Sequence, residues 1–208
     1  PPAEPARTAA LPVSASTVAP ASPPTSLVPA ETLSAVQRQQ QASADALLQA
    51  QTLWSAGSQA AAVDLLQQSV DAAERSAKAG TSAAGNPALL SLVRELVRMQ
   101  MAQSHFSAVW ELLVRLEPVL GNPPDLWGLR GNTGQRLGRH QDSVNAYRTA
   151  LQFRPDEQRW LLGCAVSLAA LGQSAQATEM AERARSVGPI SRDVQVYLQQ
   201  MGVFLKDK

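Results

Sequence analysis

Along most of this chain the apolar residues recur at spacings of three and four, the period of a helix face. The pattern is clearest between Pro124 and Pro189. Leu126, Trp127, the stem of Arg130, Gly131 and Gly134 share one stripe, and Val144, Tyr147, Ala150 and Leu151 share the next. Gly138 and Gly172 stand where the first helix of each pair must stop and suit a left-handed C-terminal cap. Pro155 and Pro189 lack the amide that would continue the second helix, so they end it. Each unit therefore predicts a helical hairpin, with Gly131 and Ala150 as the small residues that let two helices approach to about 8 Å.

The hairpins repeat. When Pro124 to Glu157 is laid over Gln158 to Ser191, Gly138 falls on Gly172, Ala150 on Ala184 and Pro155 on Pro189, a period of 34 residues. Self-similarity at such a period marks a solenoid of stacked supersecondary units. A chain of 208 residues has room for about four of them, enough for a continuous core.

The remaining stretches fit the same scheme less regularly. Ser43 precedes Ala46, Leu47, Ala50, Leu53 and Trp54, and after Gly57 come Ala62, Val63, Leu66, Val70 and Ala73, a degenerate first hairpin near 43–76. Glu31 to Gln41 is polar nearly all round and reads as a frayed helix or as the start of a longer one. Between Glu74 and Leu90 the register slips by about 13 residues, with Gly80, Gly85 and Pro87 as breakers. This predicts a second helix ending near Lys78 and an exposed loop, the best place for a nick or hinge. Leu90, Val93, Val97 and Met101, then Val109, Trp110, Leu113, Leu116 and Leu120, make a hairpin over 90–123 with Ser104 in place of the turn glycine. The regular units follow at 124–157 and 158–191. A last helix, 192–205, sets Val194, Tyr197, Leu198, Met201 and Leu205 on one face to cover the end of the stack.

Composition changes the picture at the front. Residues 1–30 hold eight of the 14 prolines and only two charges, Glu4 and Arg7. Such a stretch buries too little surface to offset its ordering entropy and is expected to be a disordered, semi-rigid linker. The chain opens at Pro1 in the middle of this linker, so a segment is expected to precede it: a cleaved signal, a membrane anchor or an artificial boundary. No run of 18 apolar residues is present to span a bilayer.

Net charge is +1 with 17% charged residues, which offers no field for nucleic acid. Catalytic signatures are missing: no HExxH, CxxC, GxSxG, P-loop or dinucleotide fingerprint occurs. His105 and His140 read as solvated turn residues, and the lone Cys164 as a small core residue in an apolar run. The Gly131 to Gly134 run falls inside a helix, where packing rather than phosphate binding accounts for it. The expectation is a non-enzyme with no catalytic residues, no cofactor and no metal.

The copy PDLWGLRGNTGQRLGRHQDSVNAYRTALQFRP resembles the tetratricopeptide repeat (TPR), with Trp127, Gly131, Tyr147, Ala150 and Pro155 at the family's positions. It departs at Gly134, where the family has a large aromatic, and at Ser143, where it has alanine. The resemblance implies an all-α, right-handed superhelix of about four hairpins plus a capping helix, serving protein binding. It also implies that the first helices line a concave groove. Transferred onto this chain, the groove positions give Arg94, Arg98, Met101, Asp125, Asn132, Gln135, Arg136, Arg159, Leu162 and Val166. Arginine forks and an asparagine amide suit a peptide with an acidic group or a free carboxyl terminus.

The run from Gln135 to Gln173, with its LeuGlyArgHis turn and ArgTrpLeuLeuGly helix opening, is also similar to the C-terminal repeats of the MshN family. These are TPR proteins of the mannose-sensitive haemagglutinin (MSHA) type IV pilus system. That resemblance implies a periplasmic scaffold tethered to the inner membrane by a segment outside this chain, with pilus or secretion assembly proteins as partners. The alternatives are a TPR pilotin-like lipoprotein that assists secretin assembly, and the regulatory TPR domain of a larger enzyme.

Overall fold

The computed structural model describes residues 30–80 and 85–205. The expected linker, apart from Ala30, and the middle of the expected loop, 81–84, lie outside the described residues. Among those residues the chain is all-helical: α1 Ala30–Ser55, α2 Gln59–Lys78, α3 Pro87–Ala102, α4 Phe106–Leu120, α5 Pro124–Arg136, α6 His140–Phe153, α7 Gln158–Ala170, α8 Ser174–Val187 and α9 Arg192–Gln200. Helices α1 to α8 each pack against the next, and α1 touches α3, α5 touches α7 and Arg94 ties α3 to α5, so the first helices of the hairpins form one layer of a solenoid.

One hydrogen-bond pattern builds the turns. A residue with positive φ follows the helix, and the next amide reaches back to the carbonyl five residues earlier. The bonds are Ser58 to Leu53 (2.9 Å), His105 to Gln100 (2.9 Å), Arg139 to Gly134 (2.8 Å) and Gln173 to Leu168 (2.9 Å). They consume carbonyls that a helix end leaves without partners. Gly57, Gly138 and Gly172 occupy the left-handed position at φ 85°, 71° and 72°, and Ser104 takes it at φ 60°. The pyramid of constraints is local, which is why the turns were readable from sequence.

Packing is set by where aromatic rings meet glycines. The Tyr147 ring, on α6, lies between Gly131 of α5 and Gly163 of α7. A β-carbon added at Gly131 would stand 2.8 Å from three ring atoms, and one at Gly163 would meet Cζ and lie 2.6 Å from Oη. The nearest neighbour at Gly131 is thus the Tyr147 ring, and Ala150, on the same helix as that ring, is fully buried. Gly134, at the position of the family's large aromatic, leaves its space to Trp110 of α4. Ser143 donates to the Gly131 carbonyl (2.7 Å) and shares a hydrogen bond with Ser167 (3.0 Å), all without solvent exposure. Here the buried polar groups are satisfied, as interior packing requires. This seam separates a Leu- and Val-rich interior, from Ala46 to Leu126, from an Ala-rich one running from Val144 to Val203.

Two expectations need correction. Helix α3 buries Leu89, Leu92, Leu96 and Met99 as well as Val93 and Val97, while Leu90 and Met101 are only partly covered. It is sandwiched between neighbouring hairpins, so two faces are apolar and not one. The last helix stops at Gln200, where Gly202 at φ 78° turns the chain back. Leu198 and Val203 supply the buried contacts, and Tyr197 and Met201, assigned to the covering face, are exposed.

Candidate functional site

The first helices present their side chains in a groove between α5 and α7. Its lining is Asp125, Gly128 and Asn132 from α5, Tyr147 and Arg154 from α6 and its end, and Glu157, Arg159 and Trp160 at the start of α7, with Leu129 at the base. Gly128 shapes it. The Trp160 indole edge occupies the space of the missing side chain, with Nε1 nearest and Cε2 2.6 Å from a β-carbon added there. The indole therefore lies flat against α5 and offers a half-exposed aromatic wall. The Tyr147 hydroxyl hydrogen-bonds with Asn132, and burial pushes its pKa up to about 12. It is a neutral phenol at any physiological pH.

Three of the expected arginines are already engaged. Arg94 forks onto Asp125, Nε to Oδ2 at 2.6 Å and Nη2 to Oδ1 at 3.1 Å, tying α3 to the first turn of α5. Burial works to raise the Asp125 pKa, but the Arg94 hydrogen bonds and charge outweigh it and hold the carboxylate below its usual range. The α5 N-terminus stabilises that negative charge further. Arg98 grips Glu95 at 2.9 and 2.7 Å and lies 5.6 Å over the Trp54 ring, and its hydrogen bonds hold the Glu95 pKa down. Arg159 is solvent-exposed with Nε 3.3 Å from Glu157. Arg136 lies 5.5 Å from the Phe106 ring.

Of the expected set, Asp125, Asn132 and Arg159 meet in the groove, and Arg94 reaches it through Asp125. Arg98, Met101, Gln135, Arg136, Leu162 and Val166 do not line it. Met101 is half-buried under Thr133, whose hydroxyl lies 3.7 Å from its sulfur, and Leu162 and Val166 pack against the apolar interior. Sequence reasoning missed Arg154, which stands 5.8 Å over the Trp160 ring and forms no ion pair among the described residues, its charge reaching Asp125 only at longer range. It follows the second helix rather than belonging to a first helix, so a rule based on first helices passes over it. Gly128 carried a signal, since it sits at a groove position of the repeat.

Cys164 is buried and its pKa is pushed up to about 11 by burial, which keeps it a thiol. His105 occupies the residue before α4 without a capping hydrogen bond from its side chain, and His140 opens α6; the latter is not fully solvated, for its Nδ1 is buried and unpartnered. Among the described residues no group of three or more His, Cys, Asp or Glu side chains is placed to hold a metal ion. No described helix is long and apolar enough to cross a membrane.

Solved structures supply the wider comparison. A tetratricopeptide repeat protein from Parabacteroides merdae superposes with a TM-score of 0.61 at 17% identity, over 78% of this chain and 60% of that one. MamA from AMB-1 gives 0.57 at 17% identity over 80% and 88% of the two chains, and MamA from MSR-1 gives 0.56 at 18% over 76% and 87%. The chain thus spans less than two thirds of the Parabacteroides protein. No protein-family model and no curated protein matches it. Fold and neighbours together define the architecture as a helical solenoid of the tetratricopeptide type.

Proposed function

We propose that this chain is a non-catalytic scaffold that binds a partner protein through an extended peptide segment laid in the α5–α7 groove. Arg154 carries the reading. It is a guanidinium that forms no ion pair among the described residues, held over an aromatic ring beside an asparagine amide and a neutral phenol. Such a set reads a carboxylate with the fork, an apolar side chain with Trp160, and the peptide backbone with Asn132. The preferred ligand is a peptide with an acidic residue or a free carboxyl terminus.

The cellular setting follows from the resemblance of Gln135 to Gln173 to MshN. In this reading the solenoid works in the bacterial periplasm, tethered to the inner membrane, and holds components of an MSHA-like pilus or a related secretion machine during assembly. The Pro- and Ala-rich composition of 1–30 suits a spacer between anchor and scaffold.

Fluorescence anisotropy with a library of labelled peptides, each offered with a free and an amidated carboxyl terminus, tests the groove. Binding of acidic members should weaken about tenfold or more in Arg154→Ala, since a charge-assisted hydrogen bond is worth roughly 1.5–3 kcal/mol. Arg98→Ala combined with Arg136→Ala should leave it unchanged. Equal binding of acidic and neutral peptides, or equal binding by wild type and Arg154→Ala, would retire the proposal.

A further inference from the structure

One mouth of the α5–α7 groove lies at the N-terminal ends of those helices, where Asp125, Glu157, Arg159 and Trp160 stand with Arg154 just ahead of them. It carries both signs of charge. Arg154 forms no ion pair among the described residues, and Glu157 is held by Arg159 at 3.3 Å through a side chain 89% exposed. A pair so exposed is worth little, so Glu157 is open to a better cation. A ligand that satisfies the mouth therefore brings one negative and one positive group close together, beside an apolar edge for Trp160. The chain owns such a segment. Residues 1–29 precede α1 and carry two charges, Glu4 and Arg7, three residues apart. A polyproline II helix has three residues per turn. In that conformation Glu4 and Arg7 fall on one edge, Pro2 and Pro5 on the next, and Ala3, Ala6 and Ala9 on the third. Proline edges of this kind dock in aromatic-lined grooves, because their backbone loses little entropy on binding.

The point of entry also suits it. The two helices of each hairpin run antiparallel, so the first helices share one direction and Ala30 opens α1 at the same edge as the α5 and α7 N-termini. Helix α1 has 26 residues and α5 has 13, and both end two residues before their turn glycines, Gly57 and Gly138. Ala30 therefore stands about 20 Å beyond the α5 N-terminus along the helix axis. Two helix spacings, about 20 Å, separate them sideways. The chain from Arg7 to Ala30 spans about 25–30 Å as a flexible coil and about 70 Å in polyproline II. The gap falls between those lengths, which gives the segment a high effective concentration at the groove.

We infer that residues 2–9 of this chain occupy the α5–α7 groove as an internal ligand, which a partner's acidic peptide must displace. The inference rests on the reading of that groove as a peptide site. Pro2 and Pro5 pack on the exposed part of Trp160, Glu4 pairs with Arg154 and Arg7 with Glu157, and the Asn132 amide bonds the backbone. The stretch from residue 10 to α1 serves as the tether. Partner binding is thereby coupled to release of the segment, and a weak competitor for the groove is turned away.

The test uses the full chain labelled with ¹⁵N and carrying a nitroxide on Ala3→Cys; Cys164 is buried and escapes the label. The nitroxide should broaden the Trp160 indole and Asn132 side-chain amide signals, and Glu4→Ala or Arg154→Ala should relieve the broadening by half or more. A mixture of nitroxide-bearing ¹⁴N chain with unlabelled ¹⁵N chain should show none. In anisotropy, Glu4→Ala combined with Arg7→Ala should bind acidic peptides about threefold tighter or more, since an occupied site binds an outside ligand in proportion to its open fraction. Thermal melts establish that the variants fold. Broadening indifferent to Glu4 and Arg154, broadening in the mixture, or an unchanged peptide affinity in Glu4→Ala/Arg7→Ala would overturn the inference and leave acidic-peptide binding at the groove standing. If the wild type and Glu4→Ala/Arg7→Ala alike bind no acidic peptide, the groove reading fails and the inference falls with it.

Discussion

Replacing Gly163 by alanine probes the feature that sets the spacing of the regular hairpins. Two effects oppose each other. A helical Gly→Ala change is favoured by about 1 kcal/mol of intrinsic propensity. The added methyl, however, would press on the Tyr147 ring, 2.6 Å from Oη and 2.7 Å from Cε2. The ring cannot retreat, because its other side already lies against Gly131. Overpacking of this kind costs roughly 1–3 kcal/mol, and with no room to yield the upper part of that range applies. The net expectation is a loss of about 1–2 kcal/mol, or roughly 2–8 °C in Tm for a chain of this size. Differential scanning calorimetry of Gly163→Ala, Tyr147→Leu and the double variant measures it. In the Tyr147→Leu background the ring is gone, and Gly163→Ala should become neutral or stabilising. A Tm that rises in the wild-type background, or a cost that persists without the ring, would refute the argument that Tyr147 needs glycine on both sides.

Three further outcomes follow. Ser104→Gly should stabilise the α3–α4 turn by about 0.5–1 kcal/mol in urea melts, because a serine at φ 60° carries left-handed strain that glycine lacks. Ser143→Ala should cost about 1 kcal/mol with an unchanged denaturant slope, since it removes the hydrogen bond to Gly131 and leaves Ser167 without its partner. For pH, the depressed folded pKa of Asp125 means that its contribution is complete above the unfolded value and is lost as pH falls through the folded one. Melts between pH 6 and 2 should show an acid loss that is smaller in Arg94→Met.

The sequence by itself determined the architecture, because everything that builds a hairpin acts over a few residues. The 34-residue period fixes where helices stop, and Ser104 was recognisable as a turn residue because it stands one period before Gly138. Gly131 and Gly134 were legible as close contacts, though not the rings that fill them. Only the tertiary structure decided the site. Arg94 and Asp125 are 31 residues apart, and their pairing depends on how one hairpin seats on the next. Arg154 is left without an ion pair for the same reason: Asp125, Glu95 and Glu157 bond to other arginines. Periodicity reports which side chains face a neighbour. Which charges remain free is set by distances between hairpins, and no local pattern encodes those.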